Sequence, residues 1–188
     1  MTRLNICIDI DGTVTNPYHF IPYLNELYNK NVTEEEFNNH DWGVIYGMDT
    51  DMGSILSEFN EKCEHSYKEA KVVDNAKEII DGLKKNHNVC FVTARQLILE
   101  DVTKSWLNEN GFSDIDVYLL GSDYKVEKAK DLQCNIFIED NPSNAMQLAS
   151  AGMKVLLIDN NYNKGVEHEN IIRVNNWIDI DNFIKEYK

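Results

Sequence analysis

The sequence predicts a doubly wound α/β fold: a parallel β-sheet covered by helices on both faces, with a small helical segment inserted after the first strand. Three observations carry this. Short apolar runs without strict alternation recur along the chain, the pattern of strands buried on both sides. Helical stretches with readable ends separate them. The interval from about residue 16 to 73 holds only helical material and is too long for one crossover helix.

The strands are expected at 4–10 (LNICIDI), 89–93 (VCFVT), 117–120 (VYLL), 136–138 (IFI) and 155–158 (VLLI), with a weaker sixth at 171–174 (IIRV). Asp74 is placed to N-cap DNAKEIIDGLKKN, whose Ile79, Ile80 and Leu83 share one face. The stretch 96–110 carries Leu97, Val102, Trp106 and Leu107, and Gly111 stands where a helix-ending glycine belongs. In NPSNAMQLASAGM, Asn141 is a plausible N-cap, Pro142 fits the first helical position and Gly152 closes the helix. Inside the insertion, HFIPYLNELYNK reads as amphipathic, and Thr33 with Glu36 predicts a capping box opening a helix over TEEEFNNH. Residues 51–71 read as one longer helix, and His40-Asp41-Trp42-Gly43 as a loop. The domain division expected is therefore 1–15 with 74–188 as an α/β core, and 16–73 as the insertion. The segment 160–170 (NNYNKGVEHEN) reads as an ordinary exposed loop.

Composition narrows the function classes. The 188 residues include 18 Lys and Arg against 32 Asp and Glu, a net charge of −14, with 43% hydrophobic residues. Such a chain can bury a core. It lacks the dense basic surface that nucleic-acid polymers require. No run reaches the roughly 18 apolar residues of a membrane span, and the start turns acidic where a signal peptide would stay apolar. A cytoplasmic protein is expected. The four cysteines form no C-x-x-C, and the five histidines lack zinc-ligand spacing, so reduced thiols are expected and a structural zinc is not.

The chemistry concentrates in four segments. Asp9-Ile10-Asp11-Gly12-Thr13 stands where the first apolar run gives out, the strand end at which open α/β sheets bind ligands. Asp49/Asp51, Asp114/Asp116 and Asp179/Asp181 share the spacing but not the context. With a period of two, Asp9 and Asp11 can face one crevice. Two converging carboxylates repel unless a cation or proton is shared, and a few hard oxygen ligands suit Mg²⁺. Asp9 is then a candidate nucleophile and Asp11 a candidate general acid/base. The second run ends in Thr93-Ala94-Arg95, bringing a hydroxyl, backbone N–H groups and a cation to the same edge. Lys125 follows the third run and can reach that edge as a point charge, with Lys128 competing for the role. The fourth run ends in Glu139-Asp140-Asn141-Pro142. Each segment has a bland alternative, but four successive strand ends delivering D-x-D, Thr, Lys and Glu-Asp argue for one phosphate-handling site.

These motifs resemble those of the haloacid dehalogenase superfamily: DIDGT its first motif, VTAR its second, Lys125 its third and IEDNP its fourth. The resemblance covers 1–15 and 74–188 and implies a Rossmann-like core. It implies that Asp9 attacks phosphorus, that Asp11 protonates the leaving oxygen and then activates water, and that Thr93 with the Ala94 amide holds the phosphoryl group. Lys125 would neutralise nucleophile and phosphate. Mg²⁺ would sit on Asp9, the Asp11 carbonyl and the Glu139/Asp140 pair, with Asp140 favoured as direct ligand. Asp11 is what phosphatase branches carry, which argues against dehalogenation.

The insertion is similar to the superfamily's small helical cap, where substrate choice should reside. Size and cap length look most like the 5′(3′)-deoxyribonucleotidases and their bacterial relatives, which implies a nucleoside monophosphate substrate. Phe20, Tyr23, Trp42 and Tyr46 are candidates to stack on a base, each with core packing as its alternative, and Arg95 is a candidate second substrate contact. A sugar phosphate or phosphoglycolate substrate, a phosphomutase, and a non-catalytic phosphometabolite binder are the rival readings. At −14 the protein repels an anion beyond the roughly 8–10 Å screening length. Mg²⁺, Lys125 and Arg95 must reverse the local field, so strict Mg²⁺ dependence is expected.

Overall fold

The computed structural model describes residues 3–187. Its six strands are β1 (Asn5–Ile8), β2 (Asn88–Thr93), β3 (Asp116–Leu119), β4 (Ile136–Glu139), β5 (Lys154–Ile158) and β6 (Ile171–Val174). They form one sheet of order β3-β2-β1-β4-β5-β6, parallel throughout. Alternate residues of each strand enter opposite cores. On one face Ile6, Ile8, Phe91, Ile136, Ile138 and Leu156 pack beneath Ile80, Trp106 and Trp177. On the other, Cys7, Val92, Phe137, Val155 and Leu157 meet Val126, Ala145 and Leu148. Burial on both faces is why these strands read as unbroken apolar runs.

Between β1 and β2 come α1 (Ile21–Tyr28), α2 (Trp42–Tyr46), α3 (Met52–Cys63), α4 (His65–Glu69) and α5 (Ala76–Lys84). The first four pack an apolar cluster with Leu24, Trp42, Ile55, Phe59 and Tyr67 buried in it, and Leu99 joins it from outside the insertion. The chain leaves the sheet and returns side by side: Thr15 and Val72 form an isolated antiparallel bridge, and Val73 N donates to Val14 O at 2.9 Å. After β2 come a single 3₁₀ turn (Leu97–Leu99) and α6 (Glu100–Glu109); α7 (Val126–Asp131) precedes β4, and α8 (Pro142–Ser150) follows it. The chain closes on α9 (Trp177–Glu186), which sequence reading left unassigned; Trp177 Nε1 donates to Thr13 O at 3.0 Å and so braces the loop after β1.

Several local expectations change. Asn75, not Asp74, occupies the N-cap of α5, with a left-handed φ of 64° and no side-chain cap. The Thr33–Glu36 bonds form, with Thr33 N donating to Glu36 Oε2 at 2.9 Å, but only a turn follows. Phe37 is drawn into the aromatic contacts of Tyr18 and Tyr162 instead of continuing a helix. The long helix over 51–71 breaks at Glu64 into α3 and α4. The segment expected as a loop around Trp42 is helical, because Asp41 Oδ1 accepts from Gly43 N at 2.8 Å and caps α2. By contrast, Asn141 caps α8 by accepting from Ser143 N and Asn144 N, with Pro142 in the first turn.

Candidate active site

The sheet order reverses between β1 and β4, and the space beyond their carboxyl ends is the crevice such sheets offer to ligands. Ile8 is in register with Ile138, and Asp9 N donates to Ile138 O at 3.0 Å, so Asp9 leaves the sheet beside Glu139. Asp9, Glu139 and Asp140 are all buried, and one carboxylate oxygen of each lies within 4.8 Å of the others. Lys125, 1% exposed, opens α7 and reaches across: its Nζ donates to Asp9 Oδ1 and, at 2.8 Å, to Glu139 Oε2. Lys128 lies over the Tyr118 ring instead.

Two of these buried carboxylates share one buried ammonium, and the third stands beside them. Burial, reinforced by Glu139 and Asp11, pushes the Asp9 carboxyl up to about 7 against the pull of Lys125. Burial, then Glu139 and Asp9, raise Asp140 well above the usual carboxylate range. For Lys125 burial opposes the charge, but Asp9 and Glu139 outweigh it and hold the ammonium above its ordinary value. A divalent cation would relieve this acid excess, and the donor set of hard oxygens suits Mg²⁺. The Asp11 carbonyl accepts no hydrogen bond among the described residues, which leaves its lone pairs open to such an ion. Glu139 is more heavily engaged: Oε1 accepts from Asp140 N at 3.1 Å and Asn141 N at 3.0 Å, while Oε2 accepts from Lys125.

A cavity of about 180 Å³ opens at this edge, lined by Asp11, Ala94, Arg95 and Asp140 at its base and by Phe20 and Trp42 above. The Phe20 and Trp42 ring centres lie 5.9 Å apart, and each also packs on Phe59, so both line the cavity and serve the apolar cluster of the insertion. Tyr23 and Tyr46 do not line it; their hydroxyls donate to Glu69 at 2.6 Å and to Asn25 Oδ1 at 3.2 Å. Thr93 is 1% exposed at the end of β2, and its Oγ1 accepts from Arg95 N at 3.2 Å. Arg95, a candidate substrate contact from sequence, lines the cavity with its guanidinium bonded to other side chains. Its Nε and Nη2 donate to the two oxygens of Asp11 at 2.8 and 2.7 Å, and Nη1 donates to Thr103 Oγ1 at 3.0 Å.

One part of the site escaped sequence reading. The front of 160–170 is no exposed loop: Asn160 and Asn163 are buried, and Tyr162 lines the cavity and donates its phenol proton to Asp140 Oδ2. The available signal was position, since N-N-Y-N directly follows a buried parallel strand at the ligand-binding edge.

The family model for cytosolic type C 5′ nucleotidase, deoxy (pyrimidine), matches residues 3–188. The chain belongs to this family. It is a phosphomonoester hydrolase of the haloacid dehalogenase type. The nucleotidase is 39% identical over 184 residues to a Clostridium acetobutylicum protein named "Nucleotidase CA_C3379", covering 96% of this chain and 93% of that one. Among solved structures, the haloacid dehalogenase-like hydrolase SP0104 from Streptococcus pneumoniae superposes with a TM-score of 0.72 at 10% identity, covering 97% of this chain and 98% of its own. A family IA, variant 3 hydrolase from Entamoeba histolytica gives 0.61 at 16% identity, over 97% and 100%. At those identities the two share the fold with the nucleotidase. No helix among its described residues is long and apolar enough to cross a membrane.

Proposed function

We propose that this nucleotidase hydrolyses the phosphate ester of (deoxy)nucleoside monophosphates through an aspartyl-phosphate on Asp9, with Mg²⁺ as cofactor and the cytoplasm as its setting. The observation that carries the reading is the Lys125 ammonium between Asp9 and Glu139, with Asp140 beside them and itself lining an aromatic-walled cavity. Lys125 holds Asp9 Oδ1, while Oδ2 has no hydrogen-bond partner among the described residues and is the nucleophilic atom. It attacks phosphorus as the ester oxygen leaves, and the Asp11 carboxyl delivers a proton to that oxygen. Asp11, now a carboxylate, takes a proton from the water that attacks the phosphoryl group, which frees phosphate and restores Asp9. Thr93 and the Ala94 amide hold the phosphoryl oxygens, and Lys125 offsets their charge. Asp9, the Asp11 carbonyl and Asp140 would hold the cation, with Glu139 fixing Lys125 and assisting. When bound, the ion supplies charge neutralisation for the nucleophile and the phosphate.

Residues 16–73 act in this reading as a cap over a core of 1–15 and 74–188. The apolar cluster built mainly from α1–α4 and the paired crossing at Thr15 and Val72 support that division. Phe20 and Trp42 would meet the base, which gives the cap its part in substrate choice. The experiment is phosphate release from deoxy- and ribonucleoside monophosphates and small sugar phosphates, with Mg²⁺ and with chelator, for the wild type and Asp9→Asn. Turnover led by nucleotides and lost with chelator and in Asp9→Asn is expected. Turnover confined to sugar phosphates would discard the base-stacking cap.

A further inference from the structure

Asp140 has a side-chain donor on each carboxylate oxygen: Thr13 Oγ1 donates to Oδ1 at 3.1 Å, and the Tyr162 phenol donates to Oδ2. Its backbone oxygen accepts from Asn163 Nδ2 at 2.8 Å. An ionised carboxylate has about four acceptor sites. Two donors therefore fix its plane and still leave lone pairs for the side on which Asp9 and Glu139 converge.

The surroundings hold Tyr162 in turn. Its ring meets Tyr18 and Phe37 edge-on, at centroid distances of 6.3 and 6.1 Å. The turn carrying it (Asn161–Asn163) is pinned from below, where Asn163 Nδ2 also donates to Ile158 O at 2.7 Å and Arg173 Nη1 donates to Asn163 Oδ1 at 2.8 Å. It is pinned from above as well, since Asn161 N donates to Tyr18 Oη at 3.0 Å. Gly12 completes the fit: a Cβ there would collide with the Asp140 carboxylate and come within 2.8 Å of the Tyr162 oxygen.

We propose that Tyr162 is a positioning residue for the divalent-cation site, its phenol setting the orientation of Asp140 and its ring, wedged against Tyr18 and Phe37, keeping the phenol in place. The inference rests on the cation reading above. A tyrosine that merely solvated a buried acid would contribute to stability and leave cation affinity alone. A positioning tyrosine weakens the site when its hydroxyl is removed, and loss of such an outer partner costs roughly 10–100-fold in metal affinity.

The test needs no substrate. The thermal unfolding midpoint is followed against MgCl₂ concentration, which gives an apparent Kd because an ion that binds only the folded state raises the midpoint. Tyr162→Phe is expected to weaken that Kd about 10-fold or more, and Tyr162→Met, which fills the space without a donor, carries the same expectation should the Phe variant not fold. Asp140→Asn separates the two failures. If it keeps the wild-type Mg²⁺ response, the cation reading of this cluster is wrong. If it loses that response while Tyr162→Phe stays within about threefold of wild type, a spread too small for an outer ligand partner, the role of Tyr162 alone is overturned.

Discussion

Arg95 grips both carboxylate oxygens of Asp11 while its guanidinium carbon lies 4.7 Å from the centre of the Tyr67 ring. The arginine side chain is 2% exposed and Asp11 24%, so the pair is rooted in the protein and its acid is the more open of the two. Burial works against the guanidinium charge, but Asp11, with Tyr67 and Asp9 adding to it, more than offsets it and raises its affinity for the proton. A planar fork on a carboxylate fixes direction as well as charge. Because Tyr67 belongs to α4 and Thr103 to α6, the orientation of Asp11 depends on the insertion and on the sheet's own helices together.

Arg95→Gln is therefore expected to lower kcat by about 100-fold, the scale of a 1 Å misplacement, with KM nearly unchanged. Arg95→Lys, which supplies charge without the fork, should fall between. Steady-state kinetics on a deoxynucleoside monophosphate decide it, with melting curves to account for lost stability. A raised KM at constant kcat would return Arg95 to substrate contact.

Lys125→Met removes the cation from between two buried acids. Breaking a buried pair from one side costs about 3–5 kcal/mol, and Mg²⁺ is expected to recover part of that by binding the uncompensated acids. Urea unfolding with and without Mg²⁺ measures both quantities. Unchanged stability in Lys125→Met would mean that Asp9 and Glu139 do not depend on this ammonium.

Two glycines with positive φ separate backbone cost from crowding. Gly12 has φ 78° and no room for a Cβ, whereas Gly152 has φ 90° and open space around it. Gly152→Ala should cost about 1–2 kcal/mol, the left-handed penalty alone. Gly12→Ala should cost more and should also displace Asp140. Equal unfolding free energies for the two variants would contradict the close approach of Asp140 and Tyr162 to Gly12.

His87 gives a pH dependence remote from the site. It is 7% exposed, and its Nδ1 accepts from Leu4 N at 3.3 Å. Burial, with Arg3 adding repulsion, lowers its pKa below 6.5. A base that is harder to protonate when folded contributes stability above its unfolded pKa, and that contribution is lost as pH falls from about 6.5 through the lower folded value. His87→Gln, which can still accept the Leu4 bond, should lose less stability than wild type between pH 7.5 and 5. Parallel denaturation curves at several pH values would show it.

The sheet was legible because burial on both faces leaves a mark that needs no knowledge of neighbours: Ile6 and Ile8 serve one core, Cys7 the other, and all read as apolar. Asp9, Asp11, Thr93, Lys125, Glu139 and Asp140 were legible as candidates because each stands at or just beyond the end of such a run. The insertion was read less well. Thr33 and Glu36 make their box, yet the helix stops because Phe37 finds aromatic partners far away in sequence.

Sequence alone thus determined the strands, the edge at which the chemistry gathers and the residue types brought there, since periodicity and strand-end position are local properties. Tertiary structure decided the pairings: Arg95 with Asp11 across 84 positions, Lys125 with Asp9 across 116, and Tyr162 with Asp140 across 22. A side chain's partner depends on which groups the fold leaves within about 3 Å of its polar atoms. Strand order and the packing of the insertion set that distance, and spacing along the chain does not record it.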